Sequence, residues 1–188
     1  MTGVAGEEAL VGKGVSTCAT CDGFFYRQKD IMVIGGGDTA MEEAHFLTKF
    51  AKSVTIVHRR DTFRASKIMI DRTMANPKIK VIWDSAIGKF NGTAKLETVT
   101  LKNFKTNETI DQPIDGVFLA IGHIPNTEVF KDKVELFENG YVKANRGTMT
   151  NVDGVFFAGD VEDQHYRQAI TAAAAGCKAA MDVEKYLG

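Results

Sequence analysis

Asp30-Ile-Met-Val-Ile-Gly-Gly-Gly-Asp-Thr-Ala40 is the stretch of this 188-residue chain whose reading decides the fold. Ile31 to Ile34 is a short, apolar, β-rich run, and Gly35, Gly36 and Gly37 break it. Asp38 or Thr39 then stands where a helix can be capped, and Ala40, Ala44 and Leu47 follow at helical spacing. The pattern is Gly35-x-Gly37-x-x-Ala40, set directly between a strand and a helix. Glycines at such a turn let the backbone bend tightly and approach a pyrophosphate, whose charge is stabilised at the helix N-terminus. Alone the match is weak, because glycines also serve plain turns. A rival spacing, Gly12-x-Gly14-x-x-Thr17, follows no strand and is set aside.

Outward from this turn the pattern continues as strand and helix. Val54 to His58 reads as the next strand and Arg64 to Ala75 as the next helix, with Pro77 marking its end. That alternation predicts a parallel sheet with right-handed crossovers. An NAD site needs an acidic residue about 20 positions after the glycines, to hold the ribose 2′-hydroxyl. Here the second strand ends in His58-Arg59-Arg60, and Arg64 follows, so cations stand where the carboxylate would be. They suit the 2′-phosphate of NADP through charge-assisted contacts. Asp61 reads as a local cap or pairing residue. From Lys78 to Gln112 the pattern changes. Alternation at Leu96 to Leu101, with turn signals at Asn91-Gly92 and Thr106-Asn107, predicts a small antiparallel insert. Val117 to Ile121 returns to a buried parallel strand that ends in Gly122. A second region then carries a turn at Asn139-Gly140, a strand at Val155 to Ala158 and an Ala-rich helix from about Tyr166 to Tyr186. Met1 to Ser16, Gly-rich and without a clean period, reads as a connecting segment. The expected fold is α/β: a Rossmann-like domain over 1–123, then part of a second domain over 124–188, with the change falling near His123 to Asn126.

Composition excludes several classes. Net charge is −1 and the isoelectric point near 6.4, which gives no reason to expect nucleic acid or an anionic membrane as partner. No apolar run approaches the roughly 18 residues of a membrane span, and the first residues lack a secretory leader pattern. Three cysteines make no disulfide scaffold. Two of them, in Cys18-Ala-Thr-Cys21-Asp22, have redox-pair spacing. Zinc would need two further ligands, and the four histidines fall in no helical pair, so no metal is expected. Two thiols able to cycle between dithiol and disulfide need nothing more. Asp22, beside the second thiol, can handle the proton that thiolate chemistry moves, or serve as a turn residue. Cys177 reads as a small buried core residue. The reactive thiols suit a reducing, cytoplasmic setting.

Cys18-Ala-Thr-Cys-Asp-Gly, Gly35-Gly-Gly-Asp-Thr-Ala, His58-Arg-Arg-Asp-Thr-Phe-Arg, Ala120-Ile-Gly-His-Ile-Pro-Asn and Phe157-Ala-Gly-Asp-Val together closely resemble the low-molecular-weight thioredoxin reductases. The resemblance runs along essentially the whole chain. It implies electron flow from NADPH to FAD, to the active-site disulfide, to thioredoxin. It makes Cys21 the flavin-proximal thiol, Cys18 the thiol that attacks the thioredoxin disulfide and Asp22 the general acid. It assigns Gly35, Gly37, Asp38, Thr39 and His58 to the nucleotide turn, and Arg59, Arg60 and Arg64 to the 2′-phosphate. Ile121 and Gly122 fall near the nicotinamide nucleotide, while Gly159, Asp160, Arg167, Gln168 and Ala169 face FAD. A homodimer is the family's common state. The family's FAD fold normally opens the chain with its own glycine-rich turn, and none precedes Cys18. The expectation is therefore the C-terminal part of a reductase, with a complete NADPH domain and the end of the FAD domain. Two alternatives stand beside it: a nucleotide-binding module without turnover, and the flavoprotein partner of a peroxiredoxin.

Overall fold

The structure is a computed structural model and describes residues 2–188. The chain divides into two compact units, one ending at Gly122 and the other running from His123 to Gly188.

The first unit is built on a parallel sheet. Its strands are β1 (Val15–Ser16), β2 (Asp30–Ile34), β3 (Ser53–Val57), β4 (Ile79–Ile82) and, at the far end of the unit, β8 (Gly116–Leu119), in the spatial order β1-β8-β2-β3-β4. Helix α3 (Asp38–Leu47) connects β2 to β3 and α4 (Lys67–Met74) connects β3 to β4. Short turns of helix, α1 (Glu7–Leu10) and α2 (Ala19–Asp22), precede them. Between β4 and β8 the chain makes an antiparallel sheet of β5 (Ser85–Asn91), β6 (Thr98–Asn103) and β7 (Thr109–Pro113). The hairpins turn where Asn91-Gly92 and Thr106-Asn107 predicted, and both Gly92 and Asn107 have positive φ.

Alternation along the strands explains why the parallel ones read as unbroken apolar runs: both faces are covered. Ile31, Val33, Val54, Ile56 and Phe118 point to one side and pack with Ala40, Met41, Ala44 and Leu47 of α3. Met32, Val57, Val117 and Leu119 point to the other and pack with Phe90, Val99 and Leu101 of the antiparallel sheet. Since β8 lies on one side of β2 and β3 on the other, the carboxyl end of β2 is a switch point, where α/β sheets open a crevice.

Several expectations change. Residues before Cys18 are not merely connecting, because Val15–Ser16 pairs in parallel with Val117–Phe118 and forms the sheet edge. Two residues are too few to show a period. Ile79–Ile82 belongs to the parallel sheet, paired with Val54–Val57, rather than to the insert. The helix expected from Arg64 starts only at Lys67, because the Arg64 amide is bonded to Gly36. Asp38 and Thr39 do not cap α3: Gly37 holds the cap position and makes no side-chain bond.

The second unit has one long helix, α5 (Ala169–Leu187), beside irregular chain. Val155 to Ala158 is not a strand; Phe156 makes a single bridge, to Met149. A strand needs a neighbour with which to extend its ladder, and only one residue pair meets here. Helix α5 starts at Ala169 rather than Tyr166 because Arg167 has positive φ and Gln168 is extended. Among the described residues, no helix is long and apolar enough to cross a membrane.

Candidate functional site

The glycine turn sits at the switch point. Gly35 has φ +156°, and a Cβ there would strike the Ala120 carbonyl, so the turn tolerates no larger residue. Gly36 lies against the His58 ring, which a Cβ would also strike. Gly37 differs from both. Its backbone is extended, and a Cβ would meet no protein atom. Gly35 and Gly36 are thus explained by packing, whereas Gly37 leaves an opening at the N-terminus of a ten-residue helix. A cleft of about 600 Å³ lies there, lined by the three glycines, Thr39, His58, Arg59, Arg64, Ile121 and Gly122. A backbone approach for an anion, a helix N-terminus and two guanidinium-bearing residues fit a phosphorylated dinucleotide. Arg60 and Asp38 are not among the lining residues. The Arg60 carbonyl accepts the Asp84 amide, and the Asp38 carboxylate accepts two bonds from Ser66.

His58 is a buried support as well as part of the wall. Its Nε2 lies 3.0 Å from the Thr62 carbonyl, which can only accept, so that nitrogen carries the proton. Phe63 and Trp83 pack around the ring. Burial holds the imidazole below its ordinary pKa, against the opposing pull of the Thr62 and Gly35 backbone groups. Asp61 is not a local partner. It pairs across 44 positions with Lys105 at 3.1 Å, and Lys105 also reaches Asp84.

Cys18 and Cys21 are joined in a disulfide with their Cα atoms 5.3 Å apart. The turn α2 makes this possible, since Cys18 is its first flanking residue and Sγ accepts the Cys21 amide at 3.1 Å. Cys18 is half-buried and Cys21 exposed. The Ser16 hydroxyl donates to Asp22 at 2.6 Å and accepts the Cys18 amide at 3.1 Å. Ser16 therefore ties the acid to the cysteine turn, a role invisible while its segment had no assigned strand. Cys177 is exposed, contrary to expectation. It lies on α5, which buries none of its residues among those described, so small size there does not report a core position. Among the described residues, no group of three His, Cys, Asp or Glu side chains is placed to hold a metal ion.

The five residues expected at FAD all lie in the second unit. Gly159 lines a cleft of about 450 Å³ with Asp163, Tyr166, Thr171 and others, and Asp160, Arg167, Gln168 and Ala169 are not in that wall. Arg167 donates to the Tyr141 hydroxyl and the Gln164 carbonyl, and Gln168 joins Thr171 in a capping box. Asp163 was missed by sequence reasoning, although an acid ahead of a helix is a common start signal. Its carboxylate accepts the amides of His165, Tyr166 and Arg167 and the Thr171 hydroxyl. Desolvation works against the charged form, yet these four bonds outweigh it and hold Asp163 at about 2.

A glycine-rich strand-to-helix turn and a Cys-x-x-Cys disulfide on one parallel α/β unit are the marks of a nucleotide-linked disulfide oxidoreductase. The chain belongs to the pyridine nucleotide-disulphide oxidoreductase family, which it matches over residues 1–176. Within that family it is 59% identical over 186 residues to the thioredoxin reductase of Streptomyces coelicolor, covering 98% of this chain and 58% of that protein. It is 54% identical over 185 residues to the bifunctional thioredoxin reductase/thioredoxin of Mycobacterium leprae, covering 98% of this chain and 40% of that one. Its fold matches the crystal structure of thioredoxin reductase from Streptococcus pyogenes with a TM-score of 0.93 at 43% identity, across 100% of this chain and 61% of the other. The chain thus spans about three fifths of the S. coelicolor and S. pyogenes reductases. Thioredoxin reductases of this family use FAD and NADPH.

Proposed function

We propose that this chain is the nicotinamide-nucleotide and dithiol part of a thioredoxin reductase. The observation that carries this reading is the presence, on one unit, of a cleft walled by glycines and arginines and of a closed Cys18–Cys21 pair. In a whole reductase NADPH would supply the two electrons, and FAD, when bound, would supply the relay to the disulfide. The chain's own residues then have distinct tasks. The Gly37 opening and the α3 N-terminus receive the pyrophosphate. Arg59 and Arg64 take the 2′-phosphate as planar, permanently charged donors. Once reduced, the Cys18 thiolate attacks a thioredoxin disulfide and forms a mixed disulfide as one thioredoxin sulfur leaves as thiolate. The Cys21 sulfur then attacks Cys18, releasing the second thioredoxin sulfur and restoring the Cys18–Cys21 bond. Asp22, steadied by Ser16, takes the proton that the Cys21 thiol gives up as it attacks and passes it to the leaving thioredoxin thiolate.

Two measurements test this. Calorimetric titration should show NADPH binding in preference to NADH. Replacing Arg59 and Arg64 by Ala should weaken NADPH binding by about 1.5–3 kcal/mol for each charge-assisted bond removed, while sparing NADH. Equal weakening for both nucleotides sinks the 2′-phosphate assignment. Incubating the Cys21→Ser chain with oxidised thioredoxin should trap a mixed disulfide through Cys18. Trapping by Cys18→Ser instead would reverse the roles of the two thiols.

A further inference from the structure

We infer that Asp38 and Ser66 form a clasp that sets the preference for a 2′-phosphorylated nucleotide, by fastening the loop bearing Arg59 and Arg64 onto the glycine turn. The inference rests on the nucleotide reading above and concerns residues that position the site rather than touch the ligand.

The arginine loop follows β3 and the glycine turn follows β2, so nothing in the covalent chain holds one to the other. Three links do. The Arg64 amide donates to the Gly36 carbonyl at 2.7 Å. His58, packed under Gly36, reaches the Thr62 carbonyl in the middle of the loop. Beyond Arg64, the Ser66 amide and hydroxyl both donate to Asp38 Oδ1, at 2.9 and 2.8 Å. Arg64 is therefore pinned by its own amide and again two residues later. The beginning of the loop is fixed from the other side, where the Asp84 amide donates to the Arg60 carbonyl and Lys105 pairs with Asp61.

The chemistry of the two clasp residues sets them apart from ordinary helix ends. Ser66 occupies the N-cap position of α4, where a serine hydroxyl normally accepts an amide of the first turn. It makes no such bond and gives its proton to Asp38 instead. Asp38 is the first residue of α3, beside the opening at Gly37. A carboxylate there would repel a bound phosphate, so its presence calls for another reason. The two Ser66 donors hold its pKa below the ordinary carboxylate value and engage one carboxylate oxygen as a fixed acceptor.

The consequence is selective. Both exposed arginine side chains are long, and a loose loop would have to be ordered on binding, which weakens affinity. That penalty falls only on a ligand that uses the arginines. A nucleotide without the 2′-phosphate engages the glycine turn alone and is indifferent to the clasp.

Binding of 2′,5′-ADP and of 5′-ADP to the full chain, measured by calorimetry, tests this without any turnover. The unaltered chain should prefer 2′,5′-ADP. Asp38→Ala should lose about tenfold in 2′,5′-ADP affinity, the scale of the hydrogen bonding to Ser66 that it removes, with 5′-ADP unchanged or tighter. Asp38→Asn keeps an acceptor oxygen for Ser66 and should stay within about twofold of the parent. Ser66→Ala removes one of the two bonds on an exposed residue and should fall between, so a poorly folded Asp38 variant does not end the test. Equal losses for both ligands, or retained preference in Asp38→Ala and Ser66→Ala, overturn the clasp. So does Asp38→Asn behaving like Asp38→Ala, which would make charge the cause. An unaltered chain with no preference for 2′,5′-ADP overturns the nucleotide reading itself, and the clasp with it.

Discussion

The unit ending at Gly122 and the unit from His123 to Gly188 treat their apolar residues in opposite ways. In the first, each buried strand feeds two cores, and Ile31, Met32, Val33, Val54, Ile56, Val117 and Phe118 have no exposed surface to speak of. In the second, the buried residues are Thr127, Tyr141, Val142, Thr148 and Thr150, and Ile124, Val129 and Ile170 are more than three quarters exposed. The contrast extends to helices. Ten-residue α3 buries Ala40, Met41, Ala44 and Leu47, whereas 19-residue α5 buries nothing among the described residues. Order in the second unit comes from polar links instead, such as Asp163 to the 165–167 amides and Asp182 to Thr148.

The contrast can be broken at its strongest point. Phe118→Ala should cost the first unit about 3–5 kcal/mol, read as a lowered urea midpoint. A cost under about 1 kcal/mol would mean that the α3 face of the sheet is not tightly packed. Next comes the glycine turn. Gly36→Ala forces a methyl into the His58 ring and should destabilise by about 1–3 kcal/mol. Gly37→Ala should cost no more than about 1 kcal/mol of stability, as a changed N-cap, and yet weaken NADPH binding. If the two substitutions behave alike, the opening at Gly37 has no special standing.

Asp163 sharpens the account of the second unit. Its folded pKa of about 2 lies below the ordinary 3.8, so the charged form is favoured by folding. That contribution is complete above the ordinary carboxylate value and fades as the pH falls through about 2. Because the group is partly solvated, we expect about 1 kcal/mol rather than the full value of the shift. Acid titration followed by circular dichroism should show Asp163→Asn reducing the pH dependence in that window, with Asp182, also held below its ordinary value, still contributing. The smallest effect is expected on α5, where Ile170→Ala should change stability by no more than about 0.5 kcal/mol. A larger loss would show that α5 packs more firmly than its exposure indicates.

Where local chemistry dictates structure, the sequence was legible by itself. Asp30–Ile34 ends where Gly35 breaks it, the hairpins turn at Asn91-Gly92 and Thr106-Asn107, and Cys18 and Cys21 stand at closing distance because a single helical turn separates them. Each of these depends on neighbours a few positions apart, which one-dimensional reading captures. Contacts across tens of residues decided the rest. Val15–Ser16 is a strand because β8 offers it an edge, Asp61 is held by Lys105, and Asp38 answers to Ser66 rather than to its own helix. Cys177 is exposed because nothing covers its helix within the unit, a property that no residue type carries. Propensity, spacing and charge are local quantities and belong to the sequence. Burial and the choice of hydrogen-bond partner are properties of chain closure, and only the tertiary structure assigns them.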